Sequence, residues 1–282
     1  MKRNSSLIVL FVMLVSLSSF SVAEARPRIT LSPARVGPGD LMVATVTRAT
    51  GTVEGTFDGK PVFFVAVKNA YKAIIGIDLK AEPGKYPLEL TVNGKRFSRT
   101  VRVRKKMYPV QRLTLPKDKV ELSPEDEARV EREQKELAAV WPVASPRLWN
   151  GNFLDPLPGK EITTRFGLNR IINDIPKNPH TGVDLAAEAG EPVRAPNDGI
   201  AVVVEEQFFS GNSVILDHGQ GIYTMFFHLS QASVRQGQTV HKGDIIGLTG
   251  ATGRVTGPCL HWGTRIMGAR VDPLELVHLK LE

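Results

Sequence analysis

Short apolar runs, each closed by a Gly, Pro or Asn-Gly turn, recur through most of this 282-residue chain. Such punctuation leaves little room for helices and directs the chain toward antiparallel β-structure. Over residues 26–106 the strand-like runs are Val43–Thr47, Val62–Val67, Ala73–Ile77 and Pro87–Val92. Turn signals at Gly37-Pro38-Gly39-Asp40, Asp58-Gly59, Pro83-Gly84 and Asn93-Gly94 separate them. Asn93-Gly94, between Leu88–Val92 and Arg99–Arg104, is a strong two-residue hairpin signal. The pattern predicts a small immunoglobulin-like β-sandwich that acts as a binding or spacer module.

Residues 107–149 read as a linker with one helix. Ser123 offers a cap, Pro124 fits the first helical position, and Glu125, Asp126 and Glu127 favour the first turn. The helix should run to about Ala139, with a mostly charged and solvated surface. Pro142, Pro146, Pro156 and Pro158 then mark an extended approach to a second domain over 150–282. There β-pattern returns in Val193–Pro196, Ile200–Val204, Val214–Asp217, Tyr223–Leu229, Asp244–Leu248 and Leu260–Ile266. Without βαβ alternation, a compact antiparallel β-domain is expected. The fold class predicted for the whole chain is therefore mainly β.

Lys2 and Arg3 precede the apolar run Leu7–Val15, and small residues follow at Ala23 and Ala25. That is the layout of a secretory signal peptide over residues 1–25, and it predicts an exported protein of the periplasm or exterior. Cys259 is the one cysteine, so no internal disulfide can form. Residues 26–149 carry 23 Lys and Arg against 14 Asp and Glu, whereas residues 150–282 carry 11 against 14. On an exported chain a basic half suits an anionic wall polymer or lipid headgroups rather than nucleic acid. A charged strand edge kept from aggregating is the plainer alternative.

Three of the six histidines have neighbours that bear on chemistry. His180 begins a His-x-x-x-Asp spacing with Asp184. His228 ends an alternating strand, and His261 lies two residues after Cys259, which puts both on one strand face. A catalytic zinc takes three ligands from imidazole, carboxylate or thiolate and keeps a fourth position for water. His180, Asp184 and His261 provide such a set, with His228 as a nearby proton carrier. On spacing alone, isolated histidines in a core or on a surface explain the same residues. His218, His241 and His278 read as polar surface or local hydrogen bonding.

From Lys160 to Leu276 the chain resembles the lysostaphin-type zinc endopeptidases, which cleave peptidoglycan peptides. The motifs are Arg165-Phe166-Gly167, His180–Asp184, Val193–Pro196, Asp198-Gly199, Gly211–Val214, Asp217-His218-Gly219, Phe226–Leu229, Gly243-Asp244, Gly250–Gly253, Gly257-Pro258, Leu260-His261 and Asp272-Pro273. The resemblance implies Zn2+ held by His180, Asp184 and His261, catalysis by His228, and a groove across a β-sheet. It also implies a peptidoglycan substrate. Two residues depart from the family pattern. Cys259 replaces the first His of His-x-His, where it could act as a catalytic thiolate, a metal ligand or an inert residue. Phe226 replaces a common Tyr. Some relatives of this superfamily keep the fold, lose ligands and activate other wall hydrolases, so a non-catalytic regulator is the alternative. Val234–Gly247 also resembles half of a biotinyl- or lipoyl-type carrier, but Lys242 lacks the usual flanks.

Overall fold

The structure, a computed structural model, describes residues 26–114 and 122–280. The signal segment expected at 1–25 lies outside the described residues. Among those described, no helix is long and apolar enough to cross a membrane.

The first eight strands are β1 (Arg28–Ser32), β2 (Leu41–Thr47), β3 (Val53–Phe57), β4 (Lys60–Val62), β5 (Val65–Val67), β6 (Ala70–Gly76), β7 (Gly84–Val92) and β8 (Lys95–Val103). Asn93 and Gly94 both have positive φ, 50° and 73°, as a two-residue turn matched to strand twist requires. The turn sets Val92 opposite Lys95 and so fixes the β7–β8 register. The strands form two sheets, ordered β1-β2-β6-β5 and β4-β3-β7-β8. Ile29, Met42, Ala44, Val46 and Ile75 from the first meet Phe57, Leu88, Leu90, Val92 and Val101 from the second. This is the immunoglobulin-like arrangement, A-B-E-D against C′-C-F-G.

One strand expected from sequence is in fact two. Val62 closes β4 in one sheet and Val65 opens β5 in the other, so Phe63-Phe64 crosses between sheets. Both valines are buried, and an unbroken apolar run carries no alternation that would reveal the crossing. Strand β3 also escaped the pattern because Gly55 interrupts it. A side chain there would lie 2.6 Å from Leu90 Cδ2 and 2.8 Å from the Glu89 carbonyl, so glycine lets β7 approach.

The connector contributes β9 (Val110–Leu113) and α1 (Pro124–Val140). The Ser123 hydroxyl accepts the Asp126 N–H at 3.1 Å, which caps α1 as expected. The helix is less solvated than its charge implies. Val130 is buried, and Leu137, Val140 and Trp141 cover Val203, Ile215, Tyr223 and Met225.

The second half contains β10 (Ile162–Thr164), β11 (Asn169–Ile172), β12 (Ile175–Pro176), β13 (Gly182–Ala186), β14 (Pro192–Arg194), β15 (Gly199–Gln207), β16 (Gly211–Asp217), β17 (Ile222–Ala232), β18 (Thr239–Val240), β19 (Ile245–Thr249), β20 (Cys259–Ile266), β21 (Ala269–Val271) and α2 (Pro273–His278). Its ten-stranded sheet runs β10-β13-β20-β17-β16-β15-β18, with β19 joining β17 to β14 and β21 on β20. Val183, Leu185, Val214, Leu216, Phe226, Leu260 and Trp262 fill its core.

Leu41, Val43, Val65 and Ile74 of the sandwich share a cluster with Ile222, Ile266, Val271 and Leu276. Arg270 adds a two-pronged pair to Asp78, with Nε–Oδ2 2.9 Å and Nη2–Oδ1 2.5 Å. Each buried aliphatic side chain is worth roughly 1.5–3 kcal/mol, against about 0–1 kcal/mol for a solvent-accessible ion pair. The apolar seam therefore does most of the joining. In addition β9 pairs in parallel with β11, which ties the connector to the segment just before His180.

Candidate metal centre

Strand pairing assembles the site. Antiparallel β13 and β20 place Asp184 directly opposite His261. On its other side β20 pairs with β17, which sets Phe227 opposite His261. The Phe227 ring stacks on the His261 ring with centroids 5.3 Å apart and planes within 3°. His180 precedes β13 in a loop pinned at both backbone groups. Its N–H donates to the Leu168 carbonyl at 2.9 Å, and its own carbonyl accepts the Gly167 N–H at 2.8 Å. Gly182 leaves room for this convergence, since a Cβ there would sit 2.4 Å from the Trp262 carbonyl and 2.7 Å from His261 Nε2.

Three donor atoms meet at one point. His180 Nε2 is 3.0 Å from Asp184 Oδ1 and 3.0 Å from His261 Nδ1, and the latter is 2.8 Å from Asp184 Oδ1. Among the described residues these three form the grouping able to hold a metal ion. Zinc ligands at 2.0–2.1 Å in tetrahedral geometry lie about 3.3 Å apart, close to the spacing seen. The donor set fits for a second reason. His180 Nδ1 lies 3.1 Å from the Arg165 carbonyl, and a neutral ring that donates its Nδ1–H there turns the Nε2 lone pair toward Asp184 and His261. Two imidazole nitrogens and a carboxylate oxygen facing one point are what a cation satisfies.

Electrostatics agree. Burial opposes ionisation of Asp184, yet the hydrogen bonds and charges of His180 and His261 hold its carboxyl well below the usual range. Burial lowers the His261 pKa, as do His180 and His228, while Asp184 partly offsets them. A neutral imidazole is the form that binds a metal.

His228 stands beside this cluster, its ring centroid 6.2 Å from that of His261. It occupies a bulge. From Asn212 to Val214 on β16 is two residues, whereas the partners on β17 run from Leu229 to Phe226. At the bulge His228 has φ of 65°, a left-handed conformation uncommon for a residue with a side chain. Its Nδ1–H donates to the Thr252 carbonyl at 2.9 Å, which leaves Nε2 with the lone pair. Thr252 is itself held, since Oγ1 donates to the Leu229 carbonyl at 2.7 Å and accepts the Asn212 N–H at 2.9 Å. Burial lowers the His228 pKa, against the Thr252 hydrogen bond and the Asp184 charge.

The family model of peptidase family M23 matches residues 178–273, a span that includes every residue of this cluster. A crystal structure described as a peptidase M23 from Pseudomonas aeruginosa is 33% identical. It aligns with a TM-score of 0.69 over 86% of this chain and 94% of the other. The chain belongs to peptidase family M23. Among curated M23-like relatives, peptidoglycan DD-endopeptidase ShyA of Vibrio cholerae is 41% identical over 135 residues, 48% of this chain and 29% of its own. DD-carboxypeptidase/endopeptidase Mpg of Neisseria meningitidis is 44% identical over 125 residues, 44% of this chain and 28% of its own. The chain thus spans less than a third of the length of these relatives.

Within the M23 match, Cys259 is 8% exposed on β20. Burial and the Asp184 charge push its thiol up to about 11, and its sulfur is outside the three-donor grouping. Phe226 is wholly buried in the sheet core, on the opposite side of β17 from Phe227. The hydroxyl missing there therefore belongs to the core rather than the groove.

Of the two readings of His218, polar surface or local hydrogen bonding, the structure has the second, with the side chain fully buried. Nδ1–H donates to the Asp198 carbonyl and Nε2 accepts from Thr224 Oγ1, both at 2.8 Å. Burial lowers its pKa to about 4. The unfolded chain, with an ordinary imidazole, binds one more proton between about pH 6.5 and about pH 4. Stability is therefore full above this window and falls as pH drops through it, by on the order of 3 kcal/mol. Chemical denaturation across the window should show this slope in the wild type and a shallower one in His218→Gln. Parallel slopes would refute the assignment.

The residues that sequence reasoning passed over are Phe227, Thr252, Gly182 and the Arg165 carbonyl. All four lay inside motifs of the resemblance, but a stacking ring, a backbone acceptor or an absent Cβ has no signature of its own.

Proposed function

We propose that the protein is a zinc-dependent endopeptidase that cleaves peptide bonds of bacterial peptidoglycan in the cell envelope. The convergence of His180 Nε2, Asp184 Oδ1 and His261 Nδ1 beside His228 is the observation that carries this reading. Zinc bound there supplies a Lewis acid for the scissile carbonyl and lowers the pKa of a water molecule. Two neutral imidazoles and one carboxylate offset one of its two charges.

The chain's own groups do the rest. Asp184 stays ionised, and the Arg165 carbonyl orients His180 by taking its Nδ1–H. His228, with Nδ1 committed to Thr252, uses Nε2 to take the proton of the attacking water and deliver it to the leaving amine. The lowered pKa keeps that lone pair free at neutral pH. The named activity of ShyA supports peptidoglycan as substrate, and that of Mpg supports an endopeptidase. Zinc-loaded protein incubated with sacculi should release fragments with new peptide termini, read by mass spectrometry. Intact sacculi with one zinc bound per chain would instead support the non-catalytic regulator.

Cys259 is assigned no proton transfer, because burial and the Asp184 charge raise its pKa and its sulfur lies outside the three-donor grouping. Cys259→Ser should keep activity within about twofold, whereas Cys259→His, which adds an imidazole, should raise kcat roughly tenfold. Loss of most activity in Cys259→Ser would show that the sulfur takes part.

A further inference from the structure

The basic run singled out in the sequence has no part in the metal centre. Residues 26–106 hold 16 Lys and Arg against 6 Asp and Glu, and the cations concentrate on one edge. Among the named strands β8 pairs with β7 alone and is an edge of its sheet, covered only at its end, where Val103 bridges Val36. Lys85, Arg96, Arg99, Arg102, Arg104 and Lys105 are all exposed. None of the six makes an ion pair among the described residues. Lys85 lies directly opposite Arg102, a like-charge cross-strand pair that costs stability.

Protecting an edge strand takes a charge or two, not six cations with two of them facing each other. Their spacing is linear. Arg96 and Arg102 project from the same face of β8, Arg104 follows just beyond it, and the row spans roughly 27 Å at about 3.4 Å per residue. Surfaces that lie on membranes combine cations with an apolar face. The large exposed apolar residues are Met107, Val110, Val143, Leu154, Ile175, Phe209 and Ile245, none of them on β7 or β8. The row also leads to the metal centre. Past Arg104 the chain runs through Tyr108, whose ring packs edge-on against Phe166, into β9, which pairs with β11, and the residue before β11, Leu168, accepts the His180 N–H.

We infer that the β7–β8 edge binds a linear polyanion, the carboxylate-bearing peptidoglycan mesh, and holds the catalytic half against it. This rests on the endopeptidase reading for the identity of the polymer, not for the existence of the face. Binding through solvent-exposed cations is screened by salt.

The test compares three forms of the full, zinc-loaded protein: wild type, the triple variant Arg96→Glu/Arg102→Glu/Arg104→Glu, and the charge-matched control Arg132→Glu/Lys135→Glu/Arg235→Glu. Each is co-sedimented with sacculi between about 50 and about 300 mM NaCl. The edge variant should bind at least ~10-fold more weakly at low salt, with the control within ~2-fold of wild type. All three should cut a soluble cross-linked peptide dimer equally, since no altered residue touches the site. Equal losses in edge variant and control would overturn the inference, as would wild type preferring phosphatidylglycerol vesicles to sacculi. If wild type leaves the soluble dimer uncut, the endopeptidase reading fails, while sedimentation still decides the binding face.

Discussion

Replacing His180 by Ala is expected to abolish stoichiometric zinc and to lower sacculus hydrolysis by at least ~10³-fold. Two donors would remain, and a catalytic zinc site needs three. Even losing a group that merely orients a ligand typically costs 10–100-fold, so losing the ligand itself should cost more. Asp184→Asn probes the same centre differently. It preserves shape but removes the one negative charge, and with it the group that His180 and His261 hold ionised. Metal that binds the folded chain alone also stabilises it, by about 4 kcal/mol at a thousandfold excess over Kd. For a protein of this size that corresponds to a Tm about 8–16 °C higher. Chelation should therefore lower the Tm of the wild type and leave His180→Ala unmoved. Elemental analysis gives the decisive number, since a variant that still carries one zinc per chain would remove His180 from the centre.

Features whose cause is local were readable in the sequence. Asn93-Gly94 announces a turn that needs two positive φ values, and the structure has them. Ser123-Pro124 announces a helix start, and the cap is made. Features set by distant partners were not. The run Gly182–Ala186 was missed as a strand, although it carries Asp184, because its burial comes from β20 some 77 residues away. The His-x-x-x-Asp spacing has the interval of a helical turn, yet here it spans a pinned loop and the start of a strand. The bulge at His228 changes pairing without changing composition. Burial of His218 depends on the Asp198 carbonyl and Thr224, neither of which marks the histidine in sequence. The three proposed ligand positions could be named because few histidines exist and the motifs around them resemble a known family. Their convergence on one point is a property of sheet register.

Replacing His228 should separate proton transfer from metal binding. His228→Asn is expected to lower kcat by ~10²–10⁴-fold, the usual contribution of a general base, with one zinc still bound per chain. Asparagine is the informative choice because the site has φ of 65°. Asn tolerates the left-handed region, whereas alanine there costs roughly 1–2 kcal/mol of strain. His228→Ala should therefore lose comparable activity and more stability, so a shared kinetic defect cannot be blamed on the backbone. The pH profile adds a second readout. Catalysis needs the neutral ring, so wild-type kcat/KM should rise with pH through an apparent pKa below the ordinary imidazole value, as burial requires. The residual activity of His228→Asn should lack that limb. A His228→Asn protein within tenfold of wild type, or one that keeps the same acidic limb, would transfer the proton to another group. Cys259 is poorly suited to take it, because burial and the Asp184 charge both raise its pKa.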